Sequence, residues 1–138
     1  MRATGTAAVL DTGCVLIFVV IGRASHVRGE SLAGIATTSW PFLCGLAVGW
    51  AVARGWRRRP ARGSSARGAA AWPGWALAVR PAGVVIWLCT VTAGMLLRVV
   101  SGQGTAPAFI VVALVFLGLF LLGWRLAWQL ARRPVKSP

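Results

Sequence analysis

Only two of the 138 residues are acidic, Asp11 and Glu30, against fifteen lysines and arginines. Lysine itself is nearly absent, Lys136 being the sole example, and charged residues of either sign make up 12% of the chain. A soluble domain of this length could not hide the apolar surface that remains, because a small globule buries only part of its surface. Cysteine is scarce and odd in number: Cys14, Cys44 and Cys89, all inside apolar runs. That pattern excludes a disulfide framework, and without CxxC or histidine spacing it gives no metal site. No nucleophile stands at a workable spacing from a base, since Ser25 and His26 are adjacent and rarely face each other. The chain therefore reads as non-enzymatic, with no cofactor.

What the chain does have is hydrocarbon. Hydrophobic residues make up 57% of it, and the mean hydropathy is +0.73. Long uncharged runs point to a bilayer as solvent. Four spans are predicted, at about 4–22, 32–53, 81–100 and 105–124. Each is close to the ~20 helical residues that cross ~30 Å of hydrocarbon. Helix is required because the backbone must satisfy its own hydrogen bonds in lipid, and barrel strands would alternate polar and apolar residues. The predicted fold is all-α: one domain over 1–138, a polytopic bundle of four transmembrane helices. Each half also reads as a helical hairpin whose second helix ends in Gly49-Trp50 or Gly123-Trp124, which would make two tandem hairpins. The first span is read as retained rather than cleaved, because Asp11 interrupts it and Arg23 and His26 occupy the place of a cleavage site.

The cations give the orientation. The segment between spans two and three holds Arg54, Arg57, Arg58, Arg59, Arg62, Arg67 and Arg80; the tail holds Arg125, Arg132, Arg133 and Lys136; Arg2 precedes span one. The other side has Arg23, Arg28 and Arg98, so the division is twelve against three. The positive-inside rule places both termini and the basic loop 54–80 in the cytoplasm of a multi-pass bacterial cell-membrane protein. Trp50, Trp56, Trp72, Trp75, Trp124 and Trp128 fall at the same boundary, where indoles settle. Charges that alternate with greasy runs set topology and do not form a nucleic-acid face. The loop arginines would in addition attract anionic lipid headgroups.

Asp11 lies inside the first span, where an ionised carboxylate costs at least ~2.5–3.5 kcal/mol by insertion scales and needs a partner, a proton or water. Thr90 and Thr92, at comparable depth in the third span, are candidate donors to it. Two readings stand: a proton- or cation-binding group, or a structural acid that is either packed or capping a helix that begins at Thr12. A second candidate cluster, Arg23, Ser25, His26, Arg28 and Glu30 with Arg98, sits at the outer mouth, with Glu30 the obvious partner for either arginine. It reads as an outward ligand or anion site, or as a solvated loop with snorkelling arginines. Gly45 and Gly49 form a GxxxG face for close helix contact, within the monomer or between copies. Pro41 should kink the second helix, with Thr37, Thr38 and Ser39 placed to compensate.

The stretch Asp11, Phe18 and Gly22-Arg23-Ala24-Ser25-His26, followed by Trp40-Pro41-Phe42-Leu43 and Gly45, resembles the bacterial membrane-protein family of domain of unknown function 3054. Arg98 and Gly123-Trp124-Arg125 resemble that family's second half. The resemblance covers most of the chain apart from the middle loop and tail. It implies the four-helix bundle and no particular activity. Asp11 and the Gly22-Arg23, Ser25-His26 positions are the ones it carries over. Small multidrug transporters fit less well, since their first-helix glutamate is absent, and fluoride channels tolerate a dual orientation that the charge bias opposes. The resulting expectation is a membrane component that packs with itself or with another membrane protein. The alternative is a small oligomeric transporter or channel with Asp11 as its titrating group and Arg23, His26 and Arg98 at its mouth.

Overall fold

The computed structural model describes residues 2–24, 31–57, 77 and 79–131. They form α1 (Arg2–Ala24), α2 (Leu32–Arg57), a π-helical turn at Val79–Gly83 that leads into α3 (Val84–Val100), and α4 (Pro107–Ala131). Four stretches are long and apolar enough to cross a membrane: Thr4–Arg23, Leu32–Gly55, Pro81–Val100 and Pro107–Ala131. No strand occurs among the described residues. Large apolar side chains such as Ile17, Val52, Leu96 and Leu119 face outward on all four helices. That is the surface a hydrocarbon solvent calls for.

Two helix ends decide how charged residues are read. The first helix begins well before Thr12, so Asp11 is an interior helical residue and not a cap. The last helix runs on to Ala131, past the expected end at Trp124, which places Arg125 inside the helix and not in a tail. The apolar residues Leu126, Ala127, Trp128 and Leu130 continue the pattern on the far side of the charge.

Local chemistry sets the other ends. Ser31 Oγ accepts from Gly34 N at 3.1 Å, capping the start of α2. At the end of α3, Gln103 N donates to Arg98 O (2.9 Å) and Gly102 N to Val99 O (3.1 Å), with Gly102 at φ 70°. This is a Schellman closure, and it needs a residue without a β-carbon penalty at the left-handed position. Pro107 then opens α4, where its missing N–H is not required. Pro41 is buried inside α2, and Thr37, Thr38 and Ser39 each donate to a carbonyl three or four residues back, at Ala33, Gly34 and Ala36.

The tightest pair is α2 with α3. A β-carbon on Gly45 would stand 2.7 Å from Thr90 O, and one on Gly49 would stand 3.0 Å from Ile86 Cα. The GxxxG face is therefore used inside the monomer, backbone against backbone. On the other side, α4 meets α3 where the Trp87 ring covers Gly118 and Trp87 Nε1 donates to Leu114 O at 3.1 Å. Phe18, Phe42, Phe109 and Phe116 meet at the centre, with Phe18 and Phe42 edge to face at 5.4 Å. This aromatic plug separates two polar regions, one towards each end of the bundle.

Candidate functional site

The first polar region is built around Asp11, which is 0% exposed. It projects from α1 into the bundle with Val15 and Phe18, which follow at helical spacing and are also buried. Arg125 on α4 meets it in a fork: Nη1 donates to Oδ1 and Nη2 to Oδ2, both at 2.7 Å. Trp50 on α2 donates from Nε1 to Oδ2 at 3.1 Å, and Trp124 on α4 donates from Nε1 to Oδ1 at 3.0 Å. Each carboxylate oxygen thus receives two N–H donors, and the donors come from two helices other than its own.

The guanidinium is equally engaged. Its Nη1 also donates to Leu121 O at 2.7 Å, one turn back on the same helix, and its Cζ lies 4.6 Å from the Trp124 ring centroid. Arg125 is itself 0% exposed. Paired planar groups of this kind gain both charge and directionality, and the low dielectric around them strengthens the attraction. The desolvation of both ions offsets much of that gain, so the pair is worth little against an apolar replacement. Breaking it by removing one partner leaves a buried charge uncompensated, which costs about 3–5 kcal/mol. The arrangement ties α1, α2 and α4 at one level, where α4 lies less closely against its neighbours than α3 does against α2.

Thr90 and Thr92, the donors expected for Asp11, are not its partners. Thr90 is buried but donates to Ile86 O at 2.7 Å, and its backbone is the surface that Gly45 packs on. Thr92 is exposed on the outer face of α3. Gly49, beside the Trp50 that donates to Asp11, packs on Ile86, so Thr90 lies about a turn further along α3 than the carboxylate, and Thr92 faces outward. Trp50 and Trp124, expected at the lipid–water boundary, turn inward onto Asp11 instead. No group of three or more potential metal ligands occurs among the described residues.

The second polar region lies at the opposite end, where α1 and α3 finish and α2 and α4 begin. Asp11 and Arg23 are twelve residues apart on α1, about 18 Å at 1.5 Å per residue. Arg23 crosses α2 at Gly34, where a β-carbon would collide with its guanidinium, and donates from Nη1 to Thr38 Oγ1 at 3.1 Å. Arg98 donates from Nη1 to Gln103 Oε1 (3.0 Å) and from Nη2 to Gly104 O (3.3 Å), with its Cζ 4.6 Å from the Phe109 ring centroid. Both arginines line one cavity of about 800 Å³. The structure thus brings together these two members of the expected outer cluster, while Ser25, His26, Arg28 and Glu30 lie outside the described residues.

The two stretches that carry the resemblance, around Asp11 and around Trp124-Arg125, meet in the Asp11–Arg125 fork. The family described as Protein of unknown function (DUF3054) matches residues 8–128. The chain belongs to this DUF3054 family. No curated protein and no solved structure matches it. Its place in DUF3054 accounts for both halves of the bundle with one matched segment that takes in most of every helix and both polar regions.

Sequence reasoning missed Arg125, Trp50 and Trp124 as partners of Asp11. One signal was available for Arg125. Unlike the loop arginines, it is flanked by apolar residues on both sides, so the hydrophobic run continues through it. A lone cation embedded that way needs a buried anion, and Asp11 and Glu30 are the only acids in the chain.

Proposed function

We propose that this DUF3054 member is a non-enzymatic component of the bacterial cytoplasmic membrane, with both termini inside, that packs with a copy of itself or with another membrane protein. The observation that carries the reading is the saturation of Asp11. A carboxylate holding four N–H donors and closed off from solvent acts as a helix clasp, with no free oxygen left for a reacting group. A transporter that loaded Asp11 with protons or cations would have to open this clasp in every cycle and leave Arg125 buried without its counter-ion. That geometry argues for the structural role.

Support for lateral packing comes from the outer face of α2. With Gly45 and Gly49 occupied by α3, the exposed side carries Cys44, Ala47, Ala51 and Gly55 at successive turns, and small residues at that spacing let a second helix approach closely. Removing Arg125 from the cytoplasmic tally leaves eleven cations against three, which supports the same orientation. The basic loop, of which residues 58–76 and 78 lie outside the described residues, is read as lying against anionic headgroups.

Cys44 makes the packing testable. In a chain with Cys14→Ala and Cys89→Ala, mild oxidation of native membranes should give a disulfide-linked dimer through Cys44, or a heterologous adduct of defined mass. Recovery of monomer alone, with Cys44 still labelled by a membrane-permeant maleimide, would contradict the packing reading.

A further inference from the structure

We infer that the cavity between Arg23 and Arg98 is a binding site for the oxyanion head of an amphiphile, a phosphate or a carboxylate attached to an apolar chain. The site lies at the end of the bundle away from the Asp11 clasp and does not depend on lateral packing.

Charge at this end of the bundle is unbalanced. Both guanidiniums line the cavity, and among the described residues their hydrogen-bond partners are neutral: a threonine hydroxyl, a glutamine carbonyl and a backbone carbonyl. The Nε–H of each arginine is buried and has no hydrogen-bond partner among the described residues. Unpaired buried donors are uncommon because each forfeits its hydration. The chain cannot supply the missing counter-charges. Asp11 is held by Arg125, and Glu30, the only other acid, carries one charge against two. Helix dipoles do not close the gap, since two C-termini and two N-termini meet at this end and cancel to first order. At least one unit of positive charge therefore remains for an external anion, beside two buried N–H donors.

The lining sets the rest of the ligand. Phe18, Val19, Phe109 and Val112 form an apolar wall below the arginines, and Thr105 and Ala106, just before α4, line the cavity as well. Val112 is also half exposed on the outer surface of α4, so the apolar wall is continuous with the lipid-facing side. A small inorganic ion would use the arginines and leave this wall bare. An oxyanion on a hydrocarbon chain would use both.

The test uses the full chain purified in an uncharged detergent, with thermal unfolding as readout and three probes: dioleoyl phosphatidylglycerol, dioleoyl phosphatidylcholine and sodium phosphate. Phosphatidylglycerol should bind about tenfold more tightly than phosphatidylcholine, and Arg23→Gln or Arg98→Gln should each weaken it about tenfold. Arg23→Lys and Arg98→Lys should retain most of the binding. The loop arginines add a background common to all variants, so the reading is the difference between wild type and variant. Displacement of the lipid by millimolar phosphate identifies a general oxyanion site, and lack of displacement identifies a headgroup site; both support the inference. Should a glutamine variant fail to fold, Val112→Trp narrows the cavity while keeping both arginines, and it too should weaken binding. Wild-type affinity in both glutamine variants and in Val112→Trp, or no binding of any probe to the wild type, would overturn the inference.

Discussion

Asp11 and Arg125 are 114 residues apart in the chain and joined in space by two parallel hydrogen bonds of 2.7 Å. The first helix and the last are thereby fastened by an ion pair, to which Trp124 adds a third hydrogen bond on Asp11. The energetics of that contact are asymmetric. The intact pair adds modestly to stability, whereas half of it is strongly destabilising.

Asp11→Asn or Arg125→Gln should each lower stability by about 3–5 kcal/mol, because either leaves a buried ion unmatched. Replacing both residues with apolar ones, Asp11→Leu with Arg125→Met, should recover most of the loss. Denaturant unfolding in detergent micelles, followed by tryptophan fluorescence, measures both effects.

Trp50→Phe keeps an aromatic ring near the carboxylate but removes one N–H donor to Oδ2, along with part of the ring volume. A hydrogen bond to a charged acceptor contributes about 1.5–3 kcal/mol, so the variant should fall in that range and below Asp11→Asn. A change of less than ~0.5 kcal/mol, by the same unfolding measurement, would mean that the indole serves only as packing.

Gly45→Val and Ala51→Val separate the two faces of α2. The first drives a side chain onto the Thr90 carbonyl, which is backbone and has no room to move, and should destabilise by about 1–3 kcal/mol or more. The second adds bulk on an exposed face and should leave monomer stability within ~0.5 kcal/mol while reducing Cys44 cross-linking. Thermal unfolding and oxidative cross-linking of the two variants read the two faces separately.

Gly102→Ala should cost about 1–2 kcal/mol, since residue 102 holds φ 70° in the closure that ends α3. It should also loosen the contact between Arg98 and Gln103, the residue that comes after it. Unfolding of the variant, with hydrogen exchange at Gln103 N, measures both.

The four spans were legible because each is a continuous apolar run, and length alone then selects a helix. The need of Asp11 for a partner was legible too, since a carboxylate in hydrocarbon is costly wherever it points. Its partner was not, for a physical reason. Depth can be counted along a sequence, but azimuth around a bundle depends on how four helices rotate against one another. Thr90 lies a turn away against Gly45 and Thr92 faces outward, whereas Arg125 was counted among the tail charges because the span was ended one residue too soon. The same ambiguity applied to Trp50 and Trp124, which carry the composition of a membrane-interface belt and serve as buried donors. Arg23 and Arg98 were placed at one level by span boundaries, and there depth was sufficient. Two helix ends that meet at one mouth bring their terminal arginines together almost regardless of rotation.

A double-mutant cycle tests the central contact most directly. Unfolding free energies of the wild type, Asp11→Asn, Arg125→Gln and the double variant give the coupling between the two side chains. The fork between α1 and α4 requires the double variant to be more stable than the sum of the single losses implies, by at least about 2 kcal/mol. Losses that add to within ~0.5 kcal/mol would mean that the two residues do not meet, and the clasp would have to be abandoned.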